Sequence, residues 1–242
     1  MNLLLDLGNT RIKWAQERDG KLSLTGASNL NGLAQAWQTL PRPDGVMGCS
    51  VVSADVQVMV EERARQSWGL PVKWLRPCPE ALGVRNHYDA SRLGPDRWAA
   101  VLGARSLFPG KALVVVSAGT AQVVDVLTAA GDFLGGSIQP GYQLMKAALA
   151  GGTARLPLAI GCHVAFPVST DDAIETGCLN ALSGAVEIMR QRLQAVGQRE
   201  VHVVLTGGDA SRIVPLLEGE VSLVDHLPLY GLAALAANGA FQ

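Results

Sequence analysis

The same strand-and-turn pattern occurs twice in this chain. Residues 3–14 read LLLDLGNTRIKW and residues 113–124 read LVVVSAGTAQVV. In each, an apolar run enters a turn built on Gly and Thr and leaves in a second β-prone run. An uninterrupted run such as LVVV suits a buried strand, and Asn9 or Gly119 supplies the turn. A single hairpin of this kind is an ordinary piece of sheet. Two that face each other, with backbone N–H groups and a Thr hydroxyl at each tip, can hold a polyphosphate. The echo between the two halves favours that second reading.

The 242 residues are enough for a large core in one or two domains, and 48% of them are hydrophobic. Twenty basic residues balance 21 acidic ones without any Lys or Arg run, which argues against a nucleic-acid partner. Met1–Asp6 is too short and acidic for a signal peptide, and no apolar stretch reaches membrane-spanning length. Cys49, Cys78, Cys162 and Cys178 lack a CxxC spacing and are expected to be reduced thiols, buried or inert, in a cytoplasmic protein. His87, His163, His202 and His226 show no metal-ligand spacing. Neither a Gly-x-Ser-x-Gly elbow nor a GxxxxGK[ST] loop occurs, which argues against a serine hydrolase or a P-loop kinase.

The pattern predicts strands at 2–8, 10–16 and 21–26, a helix near 29–40, a strand at 45–52 and a helix at 54–68 with Ser53 as its cap. A short strand at 71–75 and an irregular stretch over 76–92 follow. A helix then runs from Pro95 to about Leu107, stopped by Phe108-Pro109-Gly110. The second half repeats the order: strands at 111–117, 121–128 and 132–138, helices at 141–150 and 171–195, a strand at 201–205, a helix at 209–217, a strand at 221–225 and a helix at 228–239. This is a duplicated α/β architecture, with one half over 1–109 and the other over 110–242. The cleft between such halves is the natural ligand site. Trp37, Trp68, Trp74 and Trp98 lie in or beside apolar elements and are expected in the core.

Several polar residues admit two readings. Asp6 lies inside an apolar strand, where an unpaired carboxylate is costly, so a functional role is favoured over shaping a turn. Lys13 falls on an alternating strand and either faces solvent or serves the phosphate-holding hairpin. Pro95 at the first helical position puts Asp96 and Arg97 in the first turn, where the helix dipole favours an ionised carboxylate. Asp96 there either stabilises the helix start or accepts a proton. Thr170 competes with Ser169 as the cap of the long helix. Its positions Ile174, Cys178, Leu182, Val186 and Met189 suit either the core or a partner subunit. Asp125 lies one strand period from Val123 and is an acidic candidate for facing the cleft.

Asp6-Leu-Gly-Asn-Thr10, Gly94-Pro-Asp-Arg97, Ser117-Ala-Gly-Thr-Ala121, Gly135-Gly-Ser-Ile-Gln-Pro-Gly141 and Thr206-Gly-Gly-Asp-Ala210 occur in the order seen in type III pantothenate kinases. The chain resembles that family, and its Bvg accessory factor branch in particular, over essentially its whole length. The resemblance implies two RNase H-like halves around an ATP cleft, the architecture of the actin, sugar-kinase and Hsp70 superfamily. It implies phosphorylation of pantothenate to 4′-phosphopantothenate, the first step of coenzyme A biosynthesis, in a homodimer whose subunits pair through the second half. The alternative is a catalytically weak or inactive relative acting as a regulatory accessory factor.

By the same resemblance, Asp6, Leu7, Gly8, Asn9, Thr10, Arg11, Ile12 and Lys13, with Thr120, bind the phosphates of ATP, and Asp6 holds hydrated Mg²⁺. Asp96 is the base that receives the proton of the pantothenate hydroxyl. Tyr88, Gly94, Pro95, Arg97 and Thr170 join Asp96 around pantothenate, and Thr206-Gly-Gly208 resembles an adenosine-binding turn. One position departs from the pattern. Ser117 stands where relatives carry the Asp associated with a monovalent cation, K⁺ or NH₄⁺, and a hydroxyl is a weaker ligand for a hard ion.

Overall fold

A computed structural model describes residues 1–153, 156, 158 and 160–241. By their contacts these fall into two compact units. The first comprises Met1–Gly110, Gly131–Phe133 and the segment from His226 onward; the second comprises Lys111–Ala130 and Leu134–Asp225. The division expected at residue 109 follows the sequence repeat, whereas these units follow packing. The last helix accordingly packs with the first unit.

In the first unit, β1 (Asn2–Leu7), β2 (Ile12–Arg18) and β3 (Lys21–Ser28) form an antiparallel meander. β4 (Gly45–Ser50) and β5 (Val72–Trp74) extend it in parallel, giving the order β3-β2-β1-β4-β5. The period of two decides what β1 presents to each side. Leu3, Leu5 and Leu7 join Trp37 of α1 (Leu33–Gln38) and Val60, Ala64 and Trp68 of α2 (Ala54–Trp68) in one core. Leu4 and Asp6 take the opposite face, where α3 (Pro95–Leu107) and α7 (Leu227–Ala237) pack. Those two helices cross at backbone contact, because a Cβ added to Gly231 would stand 2.0 Å from the Ala99 carbonyl oxygen.

The stretch 76–92, expected to be irregular, contains a small hairpin of β6 (Glu80–Ala81) and β7 (Val84–Asn86). β7 pairs in parallel with Asp132 and Phe133, the first residues of β10 (Asp132–Pro140). Strands of two and three residues are too short to show periodicity, which is why the sequence conceals them.

In the second unit the order is β12-β11-β8-β9-β10, with β8 (Ala112–Ala118), β9 (Ala121–Leu127), β11 (Val201–Thr206) and β12 (Val221–Leu223). The side chains of Ala112, Val114, Val116 and Ala118 pack on α5 (Thr170–Ala195) through Ile174, Cys178, Leu182, Val186 and Met189. Those helix positions therefore serve the core. α4 (Tyr142–Gly152) and α6 (Ala210–Ile213) complete the layer, and a 3-10 turn over Val214–Leu216 replaces the rest of the helix expected at 209–217, because Pro215 has no N–H to continue it. Ser53 precedes α2 but makes no side-chain capping bond. Trp37, Trp68 and Trp98 are buried, and Trp74 is half-buried against the first core. Cys49 and Cys178 are buried, whereas Cys162 is exposed.

Candidate functional site

β1 ends in the first Gly-Thr turn. The Gly8 N–H donates to the Arg11 carbonyl at 3.1 Å and closes the turn, leaving Asn9, Thr10 and Arg11 exposed while Leu7 and Ile12 anchor it in the core. Just before the turn, Asp6 is only 6% exposed. The antiparallel register places Lys13 opposite it, and Lys13 Nζ lies 3.5 Å from Asp6 Oδ2. The parallel register places Cys49 on its other side, with the thiol donating to Asp6 Oδ1 at 3.7 Å. Burial, then the charges of Asp6 and Asp96, push the Cys49 thiol well up, so it remains a protonated donor. Lys13 thus joins Asp6 and does not merely face solvent. Cys49 escapes sequence reasoning, since its partner lies 43 residues away on a neighbouring strand.

α3 starts at Pro95 after Gly94 and carries Asp96 and Arg97 in its first turn. The Arg97 N–H donates to Asp96 Oδ1 at 2.8 Å. Burial, reinforced by the Asp6 charge, raises the Asp96 carboxyl above the ordinary Asp range, against the Arg97 N–H bond and the Arg97 charge. The helix start alone would do the opposite. Desolvation wins, and the result is a carboxylate with more affinity for a proton than an exposed Asp has.

Arg97 is 6% exposed, and its guanidinium carbon sits 5.0 Å from the centre of the Tyr88 ring. Tyr88 in turn stacks on Phe133 at 6.4 Å between ring centres, and Trp98 meets Phe133 at 6.1 Å. An aromatic support of this kind fixes the orientation of a guanidinium, whose planar fork suits an anionic or polar group. Asp6, Asp96, Arg97 and Tyr88 therefore belong to one unit.

The second Gly-Thr turn belongs to the other unit. The Gly119 N–H donates to the Ala121 carbonyl at 3.1 Å, and Thr120 is exposed. Gly141 presses against this turn, its N–H donating to the Thr120 carbonyl at 2.9 Å. Ser117 pairs with Val123 on β9 and with Thr206 on β11. Asp125, buried and two residues beyond Val123, shares that face, opposite to the side of β8 that packs on α5. Gly207 follows β11 with φ +103° and lies so close to Ala118 that a Cβ would stand 2.2 Å from its carbonyl oxygen. Thr170 is the exposed first residue of α5, while Ser169 is the cap, accepting from the Asp172 N–H at 3.2 Å.

The donor set suits some ions better than others. One carboxylate beside a turn of backbone N–H groups fits a hydrated divalent ion shared with phosphates, the habit of Mg²⁺. Among the described residues no group of three or more His, Cys, Asp or Glu forms an all-protein cage.

Two α/β units, each with a glycine- and threonine-tipped hairpin, give the fold shared by actin, the sugar kinases and Hsp70. The fold is similar to that of a Baf family protein from Campylobacter jejuni, with TM-score 0.66 and 19% identity over 98% of both chains. It is also similar to the activator of the 2-hydroxyisocaproyl-CoA dehydratase from Clostridium difficile, with TM-score 0.53 and 14% identity over 99% of this chain and 94% of that one. The sequence profile of type III pantothenate kinases matches residues 2–192, and a type III pantothenate kinase of Aromatoleum aromaticum is 44% identical over 99% of each chain. The chain belongs to the type III pantothenate kinase family.

Proposed function

We propose that this chain transfers the γ-phosphoryl group of ATP to the primary hydroxyl of pantothenate, producing 4′-phosphopantothenate, with Asp96 as the base. The observation that carries the reading is the Asp96 carboxyl, raised by burial and by Asp6 at the start of α3. As the hydroxyl oxygen attacks the γ-phosphorus, its proton passes to Asp96, and the bond to the β-phosphate oxygen breaks with ADP leaving. Arg97, supported by Tyr88, holds a polar or anionic end of pantothenate, and Gly94, Pro95 and Thr170 complete its surroundings. The turns Gly8–Thr10 and Gly119–Thr120, closed by their own glycine N–H groups, offer the Thr10 and Thr120 hydroxyls to the phosphates. Asp6, steadied by Cys49 and Lys13, holds hydrated Mg²⁺, which supplies charge neutralisation on the transferring phosphoryl group.

A monovalent cation beside the triphosphate is part of the same reading, with Ser117 a poor ligand and Asp125 the carboxylate nearest to it along the strand face. We place the enzyme in the cytoplasm; among the described residues no helix is long and apolar enough to cross a membrane. A second copy of the chain is the proposed cover for Ile160, Phe166 and Val168, which are 90% or more exposed. Light scattering giving the mass of a monomer at working concentration counts against that pairing.

The deciding measurement is ATP consumption by the purified protein with and without pantothenate, across K⁺ and NH₄⁺ concentrations. Pantothenate-dependent ADP release with formation of 4′-phosphopantothenate supports the reading. ATP consumption indifferent to pantothenate, or none under any cation, overturns it in favour of a regulatory role.

A further inference from the structure

Within the core of the second unit lies a buried polar cluster that the phosphotransfer reading does not use. Tyr142, Lys146 and Glu175 are 3%, 8% and 5% exposed. The Tyr142 hydroxyl stands 2.6 Å from each Glu175 carboxylate oxygen, so its one proton is shared between them. Lys146 Nζ donates to the Tyr142 oxygen at 2.9 Å and to Glu175 Oε2 at 3.1 Å. The Arg212 guanidinium carbon lies 4.7 Å over the Tyr142 ring, so the ring is held at both its edge and its face. Burial lowers the Lys146 ammonium, but the bonds and charges of Tyr142 and Glu175 outweigh it and raise the group overall, so it stays charged.

Such a cluster is weak as a source of stability, because apolar residues of similar volume commonly serve a core as well or better. What it does confer is geometric: it fixes the first turn of α4 against α5. The residue before Tyr142 is Gly141, whose N–H donates to Thr120 and whose added Cβ would stand 1.9 Å from the Gly119 oxygen and 2.8 Å from the Thr120 oxygen. No slack exists between the start of α4 and the Gly119–Thr120 turn. A shift of Tyr142 is transmitted through one peptide unit to the backbone of that turn.

We infer that Tyr142, Lys146 and Glu175 are positioning residues that hold the Gly119–Thr120 turn, through Gly141, in the shape that receives ATP phosphates. The inference rests on the reading above that ATP binds at this turn. It concerns the turn that receives the nucleotide: Asp96, Arg97 and Tyr88 stand in the other unit, and of the residues proposed around pantothenate only Thr170 lies on α5.

The test is steady-state kinetics and thermal unfolding on Tyr142→Phe, Lys146→Met, Leu193→Ala and Thr120→Val. Tyr142→Phe keeps the ring and removes the hydroxyl, Lys146→Met removes the ammonium while leaving the Tyr142–Glu175 bond, and thermal unfolding checks that each variant is folded before its kinetics are read. Each is expected to raise KM for ATP about 5- to 20-fold, with kcat and the KM for pantothenate within about twofold of the parent. Leu193, buried on the far end of α5 in the same core, is the control: its Ala variant loses thermal stability without moving KM for ATP. A rise in KM for ATP in Leu193→Ala equal to that in Tyr142→Phe overturns the inference, because general loosening would then explain both. Unchanged KM for ATP in Tyr142→Phe and Lys146→Met, with Thr120→Val impaired, overturns the positioning role and leaves the ATP reading standing. Unchanged KM for ATP in Thr120→Val overturns the reading at this turn and the inference with it.

Discussion

The Asp96 carboxylate folds back over Gly94: a Cβ built on Gly94 would stand 2.6 Å from Asp96 Oδ1. Gly94 has ordinary extended dihedrals, φ −62° and ψ 130°, so the glycine is required by space and not by backbone conformation. The obstructed atom is the end of a flexible side chain, which can swing away. Gly94→Ala should therefore displace the carboxylate without unfolding the helix. Since a misplacement near 1 Å can cost about 100-fold, a fall in kcat of about 10- to 100-fold is expected with little change in Tm. Parallel losses of kcat and Tm would mean that Gly94 is needed for the fold instead.

Asp96 should show opposite effects on activity and stability. Asp96→Asn removes the proton acceptor and is expected to lower kcat about 10²- to 10⁴-fold while ATP binding survives. Its folded carboxyl lies above the ordinary value of 3.8. Below pH 3.8 the group is protonated in both the folded and the unfolded chain. From there up to the raised folded pKa the unfolded chain gives up the proton first, so stability falls as pH rises and stays lower beyond. Asn has no such loss. The variant should melt higher than the parent at neutral pH, with the gap closing toward pH 4, while the parent's kcat falls as acid protonates Asp96. A lower Tm for Asp96→Asn at neutral pH would mark Asp96 as a helix-start stabiliser.

The α3–α7 crossing has no room for a side chain. A Cβ on Gly231 meets the Ala99 oxygen at 2.0 Å, and one on Gly103 meets the Leu227 oxygen at 2.4 Å. Both obstacles are backbone, so one helix must move. Gly231→Ala is expected to destabilise by about 1–3 kcal/mol in denaturant unfolding, the usual cost of overpacking. Because α3 carries Asp96, its kcat should fall as well, unlike that of a surface variant such as Val58→Ala.

Elements with local signals were legible in the sequence, and those built by distant partners were not. α3 begins and ends where expected because Pro95 and Phe108-Pro109-Gly110 mark both ends within the segment itself. The β6–β7 hairpin was invisible because its order comes from Asp132 and Phe133, far along the chain. At the site, Asp6 and Asp96 stood out as carboxylates in apolar or helix-start contexts. The side to which Lys13 turns became certain only with the β1–β2 register. The raised Asp96 carboxyl inverted the expectation from the helix dipole, since burial is a tertiary property that no short window carries. The Tyr142–Lys146–Glu175 cluster had only half a signal, the four-residue spacing of Tyr142 and Lys146 on one helix face.

Ser117 tests the cation reading. It stands on β8 facing the same side as buried Asp125, whose backbone lies one strand period from the partner of Ser117. A carboxylate attracts a monovalent cation far more than a hydroxyl does, because the charge–charge attraction dominates where the effective dielectric is low. The parent enzyme should therefore show weak phosphotransfer with little or altered dependence on K⁺. Ser117→Asp would place a second carboxylate beside Asp125, and like charges at that range repel. Without K⁺ the variant should melt below the parent. With K⁺ its Tm should recover in a concentration-dependent way, by the mass-action stabilisation that any ligand of the folded state confers. Its rate should gain a saturable K⁺ response over the same concentrations. Strong, saturable K⁺ activation of the parent would sink the idea, since it would mean that the site functions with Ser117 in place. A Ser117→Asp variant whose Tm and rate both ignore K⁺ would show that the cation, if used, binds elsewhere.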